Sequence, residues 1–348
     1  MSTEPVTPLL TAIRRLAHGE SLSAAQAAAA FGSVMAGDAT AAQIAALLIG
    51  LRVKGETAAE IAGVAQALRT AMVPLQVENA SDLVDTCGTG GGAVTTFNIS
   101  TAAALVAAGA GVRVAKHGNR SFTSLSGSAD VLEALGVAIE VPVAAMSRIL
   151  HEAGIVFMFA PLMHPAMRHV GPVRRELAIP TVMNIVGPLA NPARAGRQVV
   201  GVADDRRVPL LAAALCELGT THALIVHGTG LDEVSPLGPT RVLEVRGGDV
   251  TEWTLDPGDY DLPPASADQL AGGTPRDNAA TITAVLRGEG NAGATSAVVL
   301  NAAAAIYVSG RSGSFGDAVV GARAALESGA GLEALERLRR SAPREVTR

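Results

Sequence analysis

The sequence predicts an α/β protein, with a small all-helical domain ahead of a large α/β domain whose mostly parallel central sheet is flanked by helices. Three observations carry this. Up to residue 75 the chain holds four segments of helical apolar periodicity, each opened by a small polar residue. From Leu83 onward, short apolar runs ending near glycine alternate with alanine-rich helical stretches, the pattern of βα units. At 348 residues the chain also exceeds one ordinary core.

Taken in order, Thr7 opens a helix over 8–18, Ser23 one over 24–36 with Gly37 after it, Thr40 one over 41–53 and Thr57 one over 58–72. Strands follow at 83–87, 112–115, 155–159, 198–202 and 222–226, and a helix at 130–135. Gly247-Gly248 between apolar runs at 241–245 and 250–255 predicts an antiparallel hairpin. Helices return at 278–287, 297–308 and 315–328. The expected division is a helical domain over 1–78 with a later helical insertion at about 162–182, and a large domain made of 79–161 and 183–348.

Hydrophobic residues make up 49% and charged residues 17%, which excludes disorder. The mean hydropathy of +0.33 comes from alanine. The longest apolar runs, 102–110 and 296–308, fall short of the roughly 20 residues that span a bilayer, so no membrane contact is expected. The first ten residues lack the basic start and apolar centre of a signal peptide, which points to the cytoplasm. Cys87 and Cys216, far apart in sequence, are expected to be reduced and buried. A net charge of −5 without any lysine or arginine run argues against a nucleic-acid surface, while leaving room for a local basic pocket.

Four segments can carry chemistry. The run from Asp85 through Thr86, Cys87, Gly88, Thr89, Gly90 and Gly91 to Gly92 follows a strand and precedes a helix start at Asn98-Ile99-Ser100-Thr101. Glycines let backbone amides approach an anion, and the helix start adds free N–H groups, so a pyrophosphate fits; a plain tight turn fits as well. The spacing matches neither the dinucleotide fingerprint nor the Walker motif. Lys116-His117-Gly118-Asn119-Arg120 stands at the end of the next strand, where ligands bind in open α/β sheets. Downstream, Ser124, Ser126, Gly127 and Ser128 offer further donors, or helix caps alone.

Asp232-Glu233, beyond a strand end, suits the hard, oxygen-seeking Mg²⁺, and equally a solvated acidic loop. The stretch 159–177 places Arg168, Arg174 and Arg175 in an otherwise hydrophobic helical segment, with Arg168 expected on the face of Arg174 or Arg175. An arginine there can hold a carboxylate; a salt bridge to Glu176 or a snorkelling side chain is the alternative. His164 and His169 have no companion nucleophile or metal ligand and are read as structural. No HExxH, Cys-x-x-Cys or G-x-S-x-G motif occurs, which removes zinc and serine hydrolases.

Together these segments resemble the anthranilate phosphoribosyltransferase family over almost the whole chain. The glycine loop with Asn-Ile-Ser-Thr, the Lys-His-Gly-Asn-Arg motif at 116–120, Gly-Ser-Ala-Asp-Val-Leu at 127–132, His-Pro-Ala-Met at 164–167, Asn-x-x-Gly-Pro-Leu-x-Asn-Pro at 184–192 and Gly-Leu-Asp-Glu-Val-Ser at 230–235 all stand in the family's order. The resemblance implies transfer of a phosphoribosyl group from phosphoribosyl diphosphate to the amine of anthranilate, with Mg²⁺, in a homodimer. It implies no certain catalytic residue. It places the donor on Gly88, Gly90, Gly91, Gly92, Thr96, Asn98, Ser100, Thr101, Lys116 and Ser128. Anthranilate would lie against Gly88, His117, Asn119, Pro161 and Arg174, and the metal against Ser100, Asp232 and Glu233. This chain departs from the family at Gly92-Ala93, where Asp-Gly is usual, and at Ala178-Ile179-Pro180, where Gly-x-Arg is usual. A pyrimidine-nucleoside phosphorylase and a non-catalytic nucleic-acid-binding paralogue are the competing readings.

Overall fold

The computed structural model describes residues 7–121, 125–263 and 265–342. Four helices come first: α1 (Pro8–Ala17), α2 (Ala24–Ala36), α3 (Ala41–Lys54) and α4 (Ala58–Ala71). Their starts are set by the polar residues that announce them. Thr7, Ser23, Thr40 and Thr57 each accept a hydrogen bond from the amide three residues on, and Gln26, Gln43 and Glu60 complete reciprocal capping boxes.

The α/β part follows as β1 (Val84–Gly88), α5 (Ile99–Gly109), β2 (Val114–Gly118), α6 (Ser128–Ala134), α7 (Val143–Ala153), β3 (Ile155–Phe159), α8 (Ala160–Met163) and α9 (Gly171–Leu177). It continues with β4 (Arg197–Gly201), α10 (Val208–Glu217), β5 (His222–Gly228), β6 (Thr240–Arg246), β7 (Asp249–Leu255), α11 (Ala267–Leu270), α12 (Pro275–Leu286), α13 (Ala292–Val308), α14 (Phe315–Glu327) and α15 (Ala330–Ser341). The strands form one sheet in the order β3-β2-β1-β4-β5-β6-β7. The first five run parallel, and β6 and β7 extend the sheet antiparallel. The hairpin turns at Gly247 and Gly248, whose φ values of 60° and 95° suit the mirror-image turn that matches strand twist.

Successive residues of each strand serve opposite faces, and two cores result. Val199, Leu224, Val226 and Val242 pack with α5, α7 and α12–α15. Val200, Val202, Ala223, Ile225, Leu243 and Val245 pack with α10 and with the apolar faces of α1–α4. The helical bundle therefore shares its core with one face of the sheet. At the centre of the opposite layer lies α13, buried along nearly all its length. Tyr307 near its C-terminal end donates to Glu244 (3.0 Å), which also accepts from Trp253 Nε1 (3.0 Å).

Several expectations shift. Lys116, His117 and Gly118 lie within β2, in register with Phe157, Met158 and Phe159, rather than beyond it. The helix expected at 130–135 starts at Ser128, and the one at 297–308 starts at Ala292, capped by Asn291. α7, α10 and α15 are additions to the expected elements. The stretch carrying the arginines is not one helix: Arg168 lies in a 3₁₀ turn (Pro165–His169), and α9 begins only at Gly171-Pro172. Arg168 and Arg174 thus have no shared helix face. Both cysteines are free, as expected, but half-buried rather than buried.

The helical bundle depends on Glu60, fully buried, which accepts from Leu22 N (2.8 Å), Thr57 N (2.8 Å) and Lys54 Nζ (2.9 Å). Removing one partner of a buried pair strands the others without water. Glu60→Ala is accordingly expected to cost about 3 kcal/mol in urea unfolding; a loss under about 1 kcal/mol, the range of surface pairs, would show that the bundle stands without it.

Candidate active site

The sheet order reverses between β1 and β4, and open α/β sheets bind ligands in the crevice at the carboxyl ends of such neighbours. Here the loop after β5, residues 228–235, lies directly on those ends. A Cβ at Gly201, the last residue of β4, would overlap the carbonyl oxygen of Asp232, and one at Gly88, the last of β1, would overlap its carboxylate. Beyond β1 the chain turns through Gly90 (φ 71°) and Gly91 (φ 84°), conformations that other residues adopt only with strain. Gly90 N donates to Asp232 Oδ2 (2.7 Å), and Thr89 N to Gly201 O (2.9 Å). Gly92 faces Gly230 O.

Beneath this loop lies a buried cluster of charge. The Lys116 ammonium, 2% exposed, donates to Thr86 O (2.5 Å) and Ser100 Oγ (3.3 Å). Burial lowers its affinity for a proton, and Asp85 and Glu233 restore part of it. Asp85 is fully buried; it accepts from His117 N (3.2 Å) and Asn191 Nδ2 (2.7 Å). Burial pushes its carboxyl up to about 6, against the pull of Lys116. Glu233 Oε1 accepts from Ser100 N (3.2 Å) at the start of α5, the favourable end of the helix dipole. Burial, and then the Asp232 charge, still raise Glu233 to about 8, and burial raises Asp232 too. Two carboxylates held against each other lack positive charge, and Lys116 supplies only one. Their oxygens, with the Ser100 hydroxyl, fit a hard divalent cation that keeps waters and bridges phosphate oxygens.

The start of α5 is held by carboxamides. Asn98 Oδ1 accepts from Ser126 Oγ (3.1 Å) and Asn278 Nδ2 (2.9 Å), while its Nδ2 donates to Ser126 O (3.0 Å). Asn278 Oδ1 in turn accepts from Gly273 N (2.7 Å), and Thr96 bridges Ala271. Asn98 is thus engaged in tying three segments together. The Thr101 hydroxyl beside it is buried and unpartnered. At the start of α6, Ser128 Oγ donates to Asn119 O (3.3 Å), and Asp130 accepts from Ser121 N and Gly127 N. Ser124 lies outside the described residues.

A second half of the site adjoins β2 and β3. The His117 and His164 rings stand 5.0 Å apart, each with a buried, unpartnered Nε2. Burial drives His117 down to about 3 and His164 to about 4, although hydrogen bonds to the backbone of Gly187 and of Ala190 oppose the shift. Both rings are therefore neutral, with their unpartnered Nε2 atoms buried. Pro161 lies in α8 between β3 and His164. Asn119 Oδ1 accepts from Arg120 N (2.8 Å), and Arg120 is engaged with Asp130 and Glu133. Arg174 is half-buried on α9, its proton affinity lowered by burial, and among the described residues neither it nor Arg175 pairs with Glu176. His169 packs against the Gly37 cap of α2, a structural position as expected.

Sequence reasoning gave no individual role to several side chains that support these: Asp85, Asn191, Asn278 and Asn301 are buried, and each hydrogen-bonds at least one group distant in sequence. The signal for Asn301 was available: a lone carboxamide inside an otherwise apolar helix.

Comparison with known proteins agrees with this arrangement. Residues 10–72 match the family model described as glycosyl transferase family, helical bundle domain, and residues 80–332 that of the glycosyl transferase family, a/b domain. The anthranilate phosphoribosyltransferase of Roseiflexus sp. (strain RS-1) is 50% identical over 333 residues, covering 95% of this chain and 97% of the relative. The crystal structure of the Thermus thermophilus enzyme superposes with a TM-score of 0.90 at 43% identity, covering 95% of this chain and 98% of that one. The Saccharomyces cerevisiae enzyme, solved in complex with PRPP and Mg, gives a TM-score of 0.87 at 28% identity, covering 96% and 97%. The chain belongs to this glycosyl transferase family and, within it, to the anthranilate phosphoribosyltransferases.

Proposed function

We infer that this enzyme transfers the phosphoribosyl group of 5-phosphoribosyl 1-diphosphate to the amine of anthranilate, giving N-(5-phosphoribosyl)anthranilate and pyrophosphate, the second step of tryptophan biosynthesis from chorismate. The observation that carries the reading is the meeting, at one switch point, of a glycine loop, a carboxylate pair and two neutral imidazoles. Neither a nucleoside phosphorylase nor a nucleic-acid-binding paralogue has an observation in its favour.

In this reading the donor lies on Gly88, Gly90, Gly91, Gly92, Thr96, Ser100, Thr101 and Ser128, with Asn98 and Lys116 working from below. Asn98 fixes the helix start, and Lys116 holds the Ser100 hydroxyl and balances Glu233. Ser100, Asp232 and Glu233 would hold Mg²⁺, which on binding would neutralise the charge that builds on the departing pyrophosphate. Anthranilate lies between Gly88, Asn119, Pro161, Arg174 and the two histidines. Arg174, half-buried and without a salt bridge among the described residues, suits its carboxylate. The amine nitrogen forms the bond to C1 as the bond from C1 to the diphosphate oxygen breaks, and nitrogen then sheds a proton to water or to the released pyrophosphate. His117 and His164 Nε2, neutral and unpartnered, are acceptors for N–H at that point. An aromatic amine needs no strong base, so alignment and electrostatics supply most of the acceleration.

The same proposal assigns 1–78 and the 162–182 insertion to the helical domain and 79–161 with 183–348 to the catalytic one. It includes a homodimer through the helical domain, supported by the exposed Val53 at the end of α3 (82%), and cytoplasmic residence. Among the described residues no helix is long and apolar enough to cross a membrane.

Mixing the protein with anthranilate, phosphoribosyl diphosphate and Mg²⁺ should deplete anthranilate fluorescence; no decay at high enzyme concentration would sink the reading. Arg174→Ala is expected to raise the KM for anthranilate by roughly 10- to 100-fold, the loss of about 1.5–3 kcal/mol for a charged hydrogen bond, with little change for the donor. An unchanged KM places Arg174 in a structural role. The histidines also set a pH dependence. Unfolded imidazoles gain protons near 6.5, the folded ones only near 3 (His117) and 4 (His164). Below pH 6.5 the unfolded chain therefore holds more protons, and stability that is complete above 6.5 drains away as the pH falls toward 4. His164→Phe should flatten that slope in urea unfolding, and an unaltered slope would contradict the burial of a neutral ring.

A further inference from the structure

We infer that Asn301, in the middle of α13, is a positioning residue for the cation-binding pair Asp232 and Glu233. The inference rests on the cation site proposed above. Asn301 is 2% exposed; its Oδ1 accepts from Val234 N (2.9 Å), and its Nδ2 donates to Val234 O (2.9 Å) and to Ala297 O (2.8 Å). The carboxamide thus mimics a strand partner, satisfying both main-chain groups of a fully buried residue that has no place in the sheet. Asparagine is a poor helix former, and burying an unsatisfied amide costs several kcal/mol. Among the alanines and branched residues that surround it from Ala297 to Ile306, an apolar side chain would pack at less cost. What Asn301 gains is a fixed Val234.

Val234 follows Glu233 directly. A displaced Val234 carries Glu233 Oε1 away from Ser100 N and shifts the Asp232 main chain, which fits only because Gly201 lacks a side chain. On the cleft side the loop is held by Gly90 N on Asp232, Ser100 N on Glu233 and Val94 N on Gly230 O, while Leu231 N to Gly228 O and Ser235 N to Thr240 Oγ1 close the β5–β6 connection on itself. Asn301 ties the loop to the helical layer, and α13 packs directly on α5, whose first turn carries Ser100. One side chain therefore sets the spacing between the carboxylate pair and the helix start that face the same cation. Groups that orient metal ligands from behind commonly alter metal affinity by roughly 10- to 100-fold when removed.

The test uses the full chain without turnover. Mn²⁺, which reports by its electron paramagnetic resonance signal, is titrated in the presence of pyrophosphate. Asn301→Leu is expected to keep its far-ultraviolet circular dichroism, to weaken Mn²⁺ binding about 10-fold or more, and to speed amide exchange across residues 228–237. Tyr307→Phe removes a half-buried hydrogen bond from the same helix and should bind Mn²⁺ like the wild type. Wild-type Mn²⁺ affinity in Asn301→Leu, or an equal loss in Tyr307→Phe, overturns the inference. Should Asn301→Leu not fold, Asn301→Asp keeps the size and one acceptor but loses both donors, and wild-type affinity there overturns it equally. Failure of the wild-type protein itself to bind Mn²⁺ would remove the cation site and this inference with it, an outcome distinct from unaltered binding in the variants.

Discussion

The buried Lys116 ammonium is the interaction on which the rest of the site depends. An isolated ammonium in an apolar interior costs several kcal/mol even after the protein relaxes, so the chain must surround it with acceptors and opposite charge. Thr86 O and Ser100 Oγ take its protons, and Asp85 and Glu233 supply the charge. Each of these partners thereby acquires a fixed position. Asp85 is driven to hold the amide of His117, Ser100 is held at the first turn of α5, and Glu233 is drawn onto the Ser100 amide. A single charge at the end of β2 thus sets the relative heights of β1, β2, α5 and the loop after β5. Asp85 and Glu233 both face this one ammonium, and Asp232 adds its charge against Glu233, so the cluster remains short of positive charge.

A second constraint is steric. The loop that brings Asp232 and Glu233 crosses strand ends at which any side chain would collide with it, so Gly88 and Gly201 admit the crossing. On the far side, the segment carrying the 184–192 motif presents its main chain outward from tight turns. Gly187 and Ala190 accept from the two histidines, Leu189 O from Arg69 Nε (2.7 Å), Pro188 O from Gln198 Nε2 (2.7 Å) and Pro192 O from Leu75 N (3.0 Å). This segment joins the helical bundle, the sheet and the imidazoles. Its prolines and glycine therefore serve to point carbonyls at the groups they hold.

Much of this was legible in the sequence. The four N-caps fixed the first helices almost to the residue, because capping is a local interaction between residues three apart. Strand centres were legible from apolar runs, and their ends were not, since Lys116 and His117 continue β2 in register with β3 for reasons of pairing rather than composition. The break between Arg168 and Arg174 was written in Gly171-Pro172, where proline favours the first turn of a new helix. Motifs at strand ends are gathered by topology, as the neighbouring ends of β1, β2 and β4 show. Burial of Lys116 was not legible, because a lysine beside a glycine loop reads as a surface cation until the strand register turns it inward. Nor were Asn191, Asn278 and Asn301, whose partners lie far away along the chain.

The departure at Gly92-Ala93 finds its meaning in the same electrostatics. A Cβ at Gly92 would come to 3.0 Å from Gly230 O and 3.5 Å from Asp232 Oδ1. A carboxylate there would start from crowded ground and add negative charge to a cluster in which Glu233 is already pushed to about 8. Among the described residues no group of three or more acidic, histidine or cysteine side chains could hold a metal. The Asp232 and Glu233 carboxylates and the Ser100 hydroxyl are instead fixed by hydrogen bonds from Gly90 N, Ser100 N and Lys116 Nζ. Further support comes from Lys116 below, Gly201 beside and Asn301 behind.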